Sequence, residues 1–255
     1  MALLVTGSAG HLGEGLVRTL RAAGERVIGV DRKPSPFTDV VGSIVDREFV
    51  RRHVAGVQIV FHAAALHKPH VATHSRQDFI DTNITGTLNL LEEAVAAGVR
   101  SFVFTSTTSV FGDAMTLGEG EPAAWITEDV VPIPKNIYGV TKLAAESLCQ
   151  LFNRNQRLPC IVLRTSRFFP EDDDSKPVRD AYAPDNAKAN EFVYRRVDVA
   201  DVVEAHRLAA RLAPRIGFGR YIISATTPFK REDAAGLGRD APAVLAKRFP
   251  PYAPA

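Results

Sequence analysis

Apolar and polar positions along this chain follow two rhythms. Short runs that are apolar nearly throughout read as strands buried on both faces: Leu3-Leu4-Val5, Glu25 to Val30, Gln58 to Ala65, Ser101 to Ser106 and Pro159 to Arg164, with a shorter one from Asp39 to Ile44. Between them, apolar residues recur at helical spacing. Leu12, Leu16, Val17 and Leu20 mark a first helix, and Tyr138 to Asn153 a later one. A long helix is predicted from Arg76 to Ala97, its stripe made by Ile80, Ile84, Leu88, Leu91 and Val95 and widened by Leu90 and Ala94. Strand and helix in alternation predict an α/β fold, a doubly wound parallel (Rossmann) sheet with ligands at the carboxyl ends of its strands.

After Arg164 the pattern loosens. The acidic run Glu171-Asp172-Asp173-Asp174 and the polar segment from Ser175 to Asn190 read as loop, either a lid or a solvated surface. Val197 to Leu212 reads as helix, Arg220 to Ser224 as strand, and the end is rich in Pro and Ala. The expected division is a dinucleotide-binding domain over 1–165 and a small substrate-binding region, partly interleaved with it, over 166–255.

Composition narrows the partners. The chain has 255 residues, 45% hydrophobic and 24% charged, enough for one sizeable core. Lys and Arg total 31 against 29 acids, a balance that gives no support to nucleic acid or a membrane surface as partner. Cys149 and Cys160 read as buried thiols. No apolar run approaches the roughly twenty residues of a membrane span, and the sequence opens on a core strand without a basic leader, so a cytoplasmic location is expected.

Candidate chemistry begins where the first strand meets Thr6-Gly7-Ser8-Ala9-Gly10-His11-Leu12-Gly13. Gly7 suits the tight turn, Gly10 a close backbone approach to a pyrophosphate, and Gly13 the packing of the new helix on the sheet. The second strand runs into Asp31, where a carboxylate can hold the adenosine ribose hydroxyls of NAD and repel the extra phosphate of NADP. Arg32 and Lys33 pull the other way, toward NADP. Tyr138 and Lys142, four residues apart, share a helical face, and an ammonium beside a phenol lowers its pKa toward working pH. The preceding strand ends in the hydroxyls of Thr105 to Ser109.

These motifs, in order with Val60 to Ala65, Asn83-x-x-Gly86-Thr87, Phe104 to Gly112 and Leu163-Arg164, make the chain resemble the NAD-dependent epimerase/dehydratase family of extended short-chain dehydrogenase/reductases over roughly residues 1 to 215. The resemblance implies roles. Tyr138 would be the acid/base; Lys142 would tune it and hold the nicotinamide ribose. Thr107 would hydrogen-bond the substrate oxygen. His11 and Leu12 would offer backbone to the pyrophosphate, Ser43 and Ile44 would flank adenine, Ala63, Ala64 and Ala65 would line the cofactor groove, and Asn83 would sit behind it. Ser166 joins the cofactor side, and Lys68 and Arg167 the substrate side. Related proteins pair the two long helices into a four-helix bundle, which implies a homodimer.

Several departures shape the expectation. Gly42-Ser43 replaces the family's frequent Gly-Asp at adenine, Thr108-Ser109 replaces the Asp-Glu of dehydratases, and Arg167 replaces an Asn common in nucleotide-sugar epimerases. An arginine there suits a substrate carboxylate or phosphate, or pairing with the acidic run. His67, Lys68, His70 and His74 cluster after the fourth strand. They read as an anion or hydroxyl site centred on Lys68, or as a plain polar loop; metal-like spacing lacks a full ligand set. The expected function is NAD-linked oxidation or epimerisation of a sugar-like hydroxyl compound. The alternatives are a dehydrogenase or reductase of a smaller compound, and a non-catalytic dinucleotide-binding regulator.

Overall fold

The computed structural model describes residues 2–169, 193 and 196–248. Seven parallel strands form one sheet: β1 (Ala2–Thr6), β2 (Arg26–Asp31), β3 (Val40–Val41), β4 (Val57–His62), β5 (Ser101–Thr107), β6 (Cys160–Thr165) and β9 (Phe218–Ile223), in the spatial order β3-β2-β1-β4-β5-β6-β9. β7 (Phe168–Phe169) and β8 (Val197–Asp198) pair apart from it. The order reverses between β1 and β4, and a crevice for ligands belongs at that point.

Alternation within the strands assigns the two faces. Leu3 and Val5 of β1 point to one side, where α1 (His11–Ala22) and α6 (Val199–Ile216) contribute Leu16, Val17, Val202, Val203 and Ala213. Leu4 points to the other, toward α2 (Arg47–Val54), α4 (Gly86–Ala96) and α5 (Ile137–Gln156). β1, β5 and β6 are buried nearly end to end, which is why β1 and the first halves of β5 and β6 carry apolar residues at successive positions. The segment after residue 165 thus returns a helix and a strand to the sheet. Ala234–Arg239 (α7) and Ala241–Arg248 (α8) follow. On the outer edge, the Ile222 N–H donates to the Glu128 carboxylate at 2.9 Å, which blunts an open strand. No helix of the described residues is long and apolar enough to cross a membrane.

Four local features depart from the hydrophobic pattern. The strand expected over Asp39 to Ile44 shrinks to Val40–Val41, because the Asp39 side chain turns to the Gly29 N–H (2.7 Å) and Arg21, and Gly42-Ser43 leads away toward a helix. That helix, α2, is not announced by the pattern; Asp46 caps it by accepting from the Phe49 N–H at 3.0 Å. The fourth strand ends at His62 rather than Ala65, since the Ala64 N–H bends to the Thr6 hydroxyl. The helix expected from Arg76 to Ala97 is α3 (Arg76–Ile80), a π-helical turn over Asp81–Thr85 and then α4. The wide turn rotates the register, so the buried face is Asn83, Thr87, Leu90, Leu91 and Ala94, while Ile80 of the expected stripe stays 37% exposed. The acidic run at 171–174 and the loop at 175–190 lie outside the described residues.

Candidate active site

The glycine turn is built by steric exclusion. Gly7 has φ of +78°, and a Cβ there would lie 2.7 Å from the Ala64 nitrogen, so the turn presses against the chain leaving β4. At Gly13 a Cβ would fall 1.9 Å from the Gly7 carbonyl oxygen, which seats α1 directly on the turn. Gly10 differs: its Cβ would meet only the Gly7 oxygen, at 3.3 Å, so the turn's outer face is open. Gly10 is also the N-cap of α1 and offers no side chain to the first-turn N–H groups. Those donors, including His11 and Leu12, face outward with the positive end of the helix dipole. The Leu12 side chain is buried; the His11 ring is exposed, 5.4 Å from Phe168. An open anion cradle of this kind fits the pyrophosphate of a dinucleotide.

At the end of β2 the Asp31 carboxylate is fixed on this turn. One oxygen accepts from the Ala9 N–H at 3.1 Å and the other from the Lys33 N–H at 2.9 Å. Arg32 and Lys33 are exposed. Ile44 is buried against Gly86 at the start of α4, and the Ser43 hydroxyl accepts from the Val45 N–H. Ala63, Ala64 and Ala65 are half-buried beside Gly7.

Behind the turn runs a buried hydrogen-bonded chain that the sequence motifs name only in part. The Thr6 hydroxyl accepts from the Ala64 N–H and donates to His62 Nδ1 (2.8 Å); His62 Nε2 donates to Thr87 (2.9 Å), and Thr87 donates to the Asn83 carbonyl (2.7 Å). This order fixes the His62 tautomer, and burial, with Lys142 nearby, holds its pKa well below the usual imidazole value. Asn83 then grips the loop after β4. Its amide donates to the Leu66 carbonyl and to Thr141 Oγ1, both at 3.0 Å, and accepts from the Leu66 N–H at 2.9 Å. The Thr141 hydroxyl reaches the Ile137 and Tyr138 carbonyls, so the chain ends in the first turn of α5.

That first turn carries Tyr138. Asn136 caps α5 by accepting from the Gly139 N–H at 3.0 Å. A Cβ on Gly139 would lie 2.9 Å from the Ser109 carbonyl oxygen, so glycine lets the helix close on the loop leaving β5. Thr107 ends β5, its hydroxyl accepting from the Ser109 N–H (3.1 Å) and lying near enough to the Tyr138 phenol to act on it. Burial pushes that phenol up to about 12, and the Thr107 hydroxyl offsets only part of the rise. Lys142, buried one turn on, has its ammonium 4.0 Å from the centre of the Phe104 ring, and burial lowers it to about 7. The depressed phenol expected from the Tyr-x-x-x-Lys spacing is therefore not produced by these side chains: the ammonium lies on Phe104, and desolvation governs the tyrosine.

One more turn along the same face stands Glu146, fully buried, which the spacing Tyr138, Lys142, Glu146 could have disclosed. It receives the Ser106 hydroxyl (2.5 Å) and the Arg164 guanidinium (2.8 Å), with Arg220 at 3.3 Å. Lys68, at the head of a short 3-10 turn, is exposed. His67, His70 and His74 meet edge to face with ring centres 4.4 and 5.0 Å apart, and the His67 N–H donates to His70 Nδ1, so that nitrogen is taken locally. Arg167 is exposed and its carbonyl accepts from the Val197 N–H; the Ser166 N–H donates to the Ile223 carbonyl, aligning the exit of β6 with β9.

The model of the NAD dependent epimerase/dehydratase family matches residues 3–217. The chain is similar to a 3-beta-hydroxysteroid dehydrogenase of Mycolicibacterium neoaurum, 32% identical over 183 residues that make up 68% of this chain and 49% of that protein. Among solved structures it is similar to the UDP-glucose 4-epimerase of Thermotoga maritima with UDP-glucose (26% identity, TM-score 0.69, 88% of this chain and 77% of that one). It is also similar to MoeE5 in complex with UDP-glucuronic acid and NAD (26% identity, TM-score 0.72, 95% and 83%). The chain spans 36% to 49% of the length of three curated relatives it matches. With the parallel sheet, the glycine turn and this match over most of its length, the chain belongs to the NAD dependent epimerase/dehydratase family.

Proposed function

We propose that this chain is an NAD-dependent epimerase or dehydrogenase that works by hydride transfer at a hydroxyl-bearing carbon of a sugar or nucleotide sugar. The observation that carries the reading is the placement of the Thr107 hydroxyl beside the Tyr138 phenol at the carboxyl end of β5, on the sheet edge that also presents the glycine turn and Asp31. The nicotinamide, when bound, supplies the hydride acceptor. In this reading the turn and the first N–H groups of α1 hold the pyrophosphate, and Asp31 holds the adenosine ribose. Ser43 and Ile44 flank adenine, Ala63 to Ala65 line the groove, and Ser166 closes it. Thr107 orients the substrate hydroxyl and Tyr138 takes its proton. A phenol near 12 is a poor base at neutral pH, so the site needs a cation beside it when charged; Lys142, one turn away, is the group that can swing from Phe104 toward a ribose and the phenol. Lys68, after β4, and Arg167, in the small substrate-binding region over 166–255, meet the substrate.

Support comes from the neighbours in complex with UDP-glucose, or with UDP-glucuronic acid and NAD. A dehydrogenase acting on a smaller hydroxyl compound is the second reading, favoured by the similarity to a 3-beta-hydroxysteroid dehydrogenase. Purified protein separates them. Tightly retained NAD and interconversion of UDP-glucose with UDP-galactose support the epimerase; an empty site with net NAD reduction supports the dehydrogenase. Stoichiometric NAD binding with neither activity on either substrate class contradicts both.

A further inference from the structure

Beside Tyr138 lies a cavity of about 650 Å³ lined by Val71, His74, Ser75, Arg76, Lys135, Asn136 and Ile137. Its walls come from the segment after β4 and the loop that feeds α5. Neither the glycine turn nor Thr107 lines it, so it is separate from the cofactor groove. We propose that this cavity is an anion subsite that takes a phosphate or carboxylate group of the substrate, a reading that rests on the hydride-transfer function above.

Charge and geometry carry the inference. Arg76 is exposed and has no acidic partner among the described residues. Lys135 is held in place by Asp113 at 3.2 Å and by the Thr116 hydroxyl at 2.5 Å, which orders its ammonium while leaving donor capacity. Two acids bear on the site. Asp113 offsets part of Lys135, and Asp78 is tied to Ser75 through both its N–H (2.8 Å) and its hydroxyl (2.7 Å). The Arg32–Lys33 turn adds positive field from across the edge, Arg32 acting on Asp78 and Lys33 on His70. His70 registers that field: burial, then His67, His74 and Lys33 in turn, bring its pKa down to about 4. An arginine and a lysine in the wall of one cavity are the residue types that carboxylates and phosphates seek. Asn136 and Ile137 of its wall immediately precede Tyr138 in the chain, so an anionic group seated here would bring a neighbouring hydroxyl carbon toward the first turn of α5.

The anion can reach this site as the diphosphate of a nucleotide sugar or as the carboxylate of a sugar acid. Calorimetric titrations of NAD-saturated protein at low ionic strength, with inorganic phosphate, malonate, UDP-glucose and UDP-glucuronic acid, distinguish them. Neither Arg76 nor Lys135 has been placed in the catalytic or cofactor machinery, so NAD affinity serves as the folding and function control. In Arg76→Ala/Lys135→Ala, phosphate and malonate binding should weaken at least about tenfold at unchanged NAD affinity, the loss of two charge-assisted contacts. A parallel loss for both UDP sugars identifies the diphosphate; a loss confined to UDP-glucuronic acid identifies the carboxylate. Equal affinities of the wild type and the double variant for phosphate and malonate, or no binding of either by the wild type, would overturn the subsite. Failure of the function itself shows separately, as absent NAD binding or as turnover that survives loss of the Tyr138 hydroxyl.

Discussion

At the scale of a single side chain, Asp31 is the residue proposed to decide the cofactor. Both its oxygens are anchored by backbone N–H groups, so the carboxylate cannot turn away from the glycine turn without giving up two hydrogen bonds. NAD should therefore bind more tightly than NADP, and Asp31→Ala should narrow or reverse the gap, with Arg32 and Lys33 then free to pair with the extra phosphate; fluorescence titration of both cofactors measures it. His206 of α6 offers a different test. It is fully buried, with Nδ1 donating to the Val202 carbonyl (2.7 Å) and Nε2 accepting from Thr105 (2.8 Å), and burial lowers its pKa from 6.5 to about 4. A depressed folded-state pKa contributes stability that is present above pH 6.5 and lost as pH falls through about 4, worth about 3 kcal/mol at most. Thermal unfolding should weaken across that window, and the slope should flatten in His206→Gln. The residues proposed to react stand out in the sequence because motif spacing reports which side chains share a face. Their protonation does not, since spacing says nothing of the burial that raises Tyr138 and lowers Lys142.

At the scale of elements, α5 does three jobs with one face: Tyr138 at its start, Lys142 one turn on, Glu146 after that. The last ties the helix to β6 through Arg164 and to β5 through Ser106, the residue before Thr107. Removing one partner of a buried pair strands the other, so Glu146→Ala should cost about 3–5 kcal/mol, seen as a lower urea midpoint. Glu146→Met/Arg164→Met should lose much less, because no charge is left buried alone. Hydrophobic periodicity found α1, α5 and α6 because each turns one apolar face to the sheet. It missed α2, whose eight residues include Arg47, Arg51, Arg52 and His53, and it ran straight through the π turn at Asp81–Thr85. Periodicity assumes a constant twist, and the turn that presents Asn83 to Leu66 and Thr141 breaks it.

For the whole molecule, strand alternation with helices fixed the sheet, and the switch between β1 and β4 fixed where a ligand belongs. Assembly follows from what that architecture leaves outside. The rotated register of α3 and α4 leaves Ile80 37% exposed, and α5 presents Val140 at 49% and Leu151 at 36%. We propose that these helices pair with a second copy of the chain. Sedimentation at micromolar concentration should give a dimer, and Val140→Glu should yield monomer; a wild-type monomer would reject the pairing. The central claim is narrower, that Tyr138 moves the proton in hydride transfer. Its most direct test is turnover by NAD-saturated protein of UDP-glucose, read as UDP-galactose formed, or of a 3-beta-hydroxysteroid, read as the absorbance of reduced nicotinamide. The account predicts turnover of one of these by the wild type and, in Tyr138→Phe, a rate lower by about 10²–10⁴-fold at nearly unchanged NAD affinity; equal rates in the two proteins would contradict it.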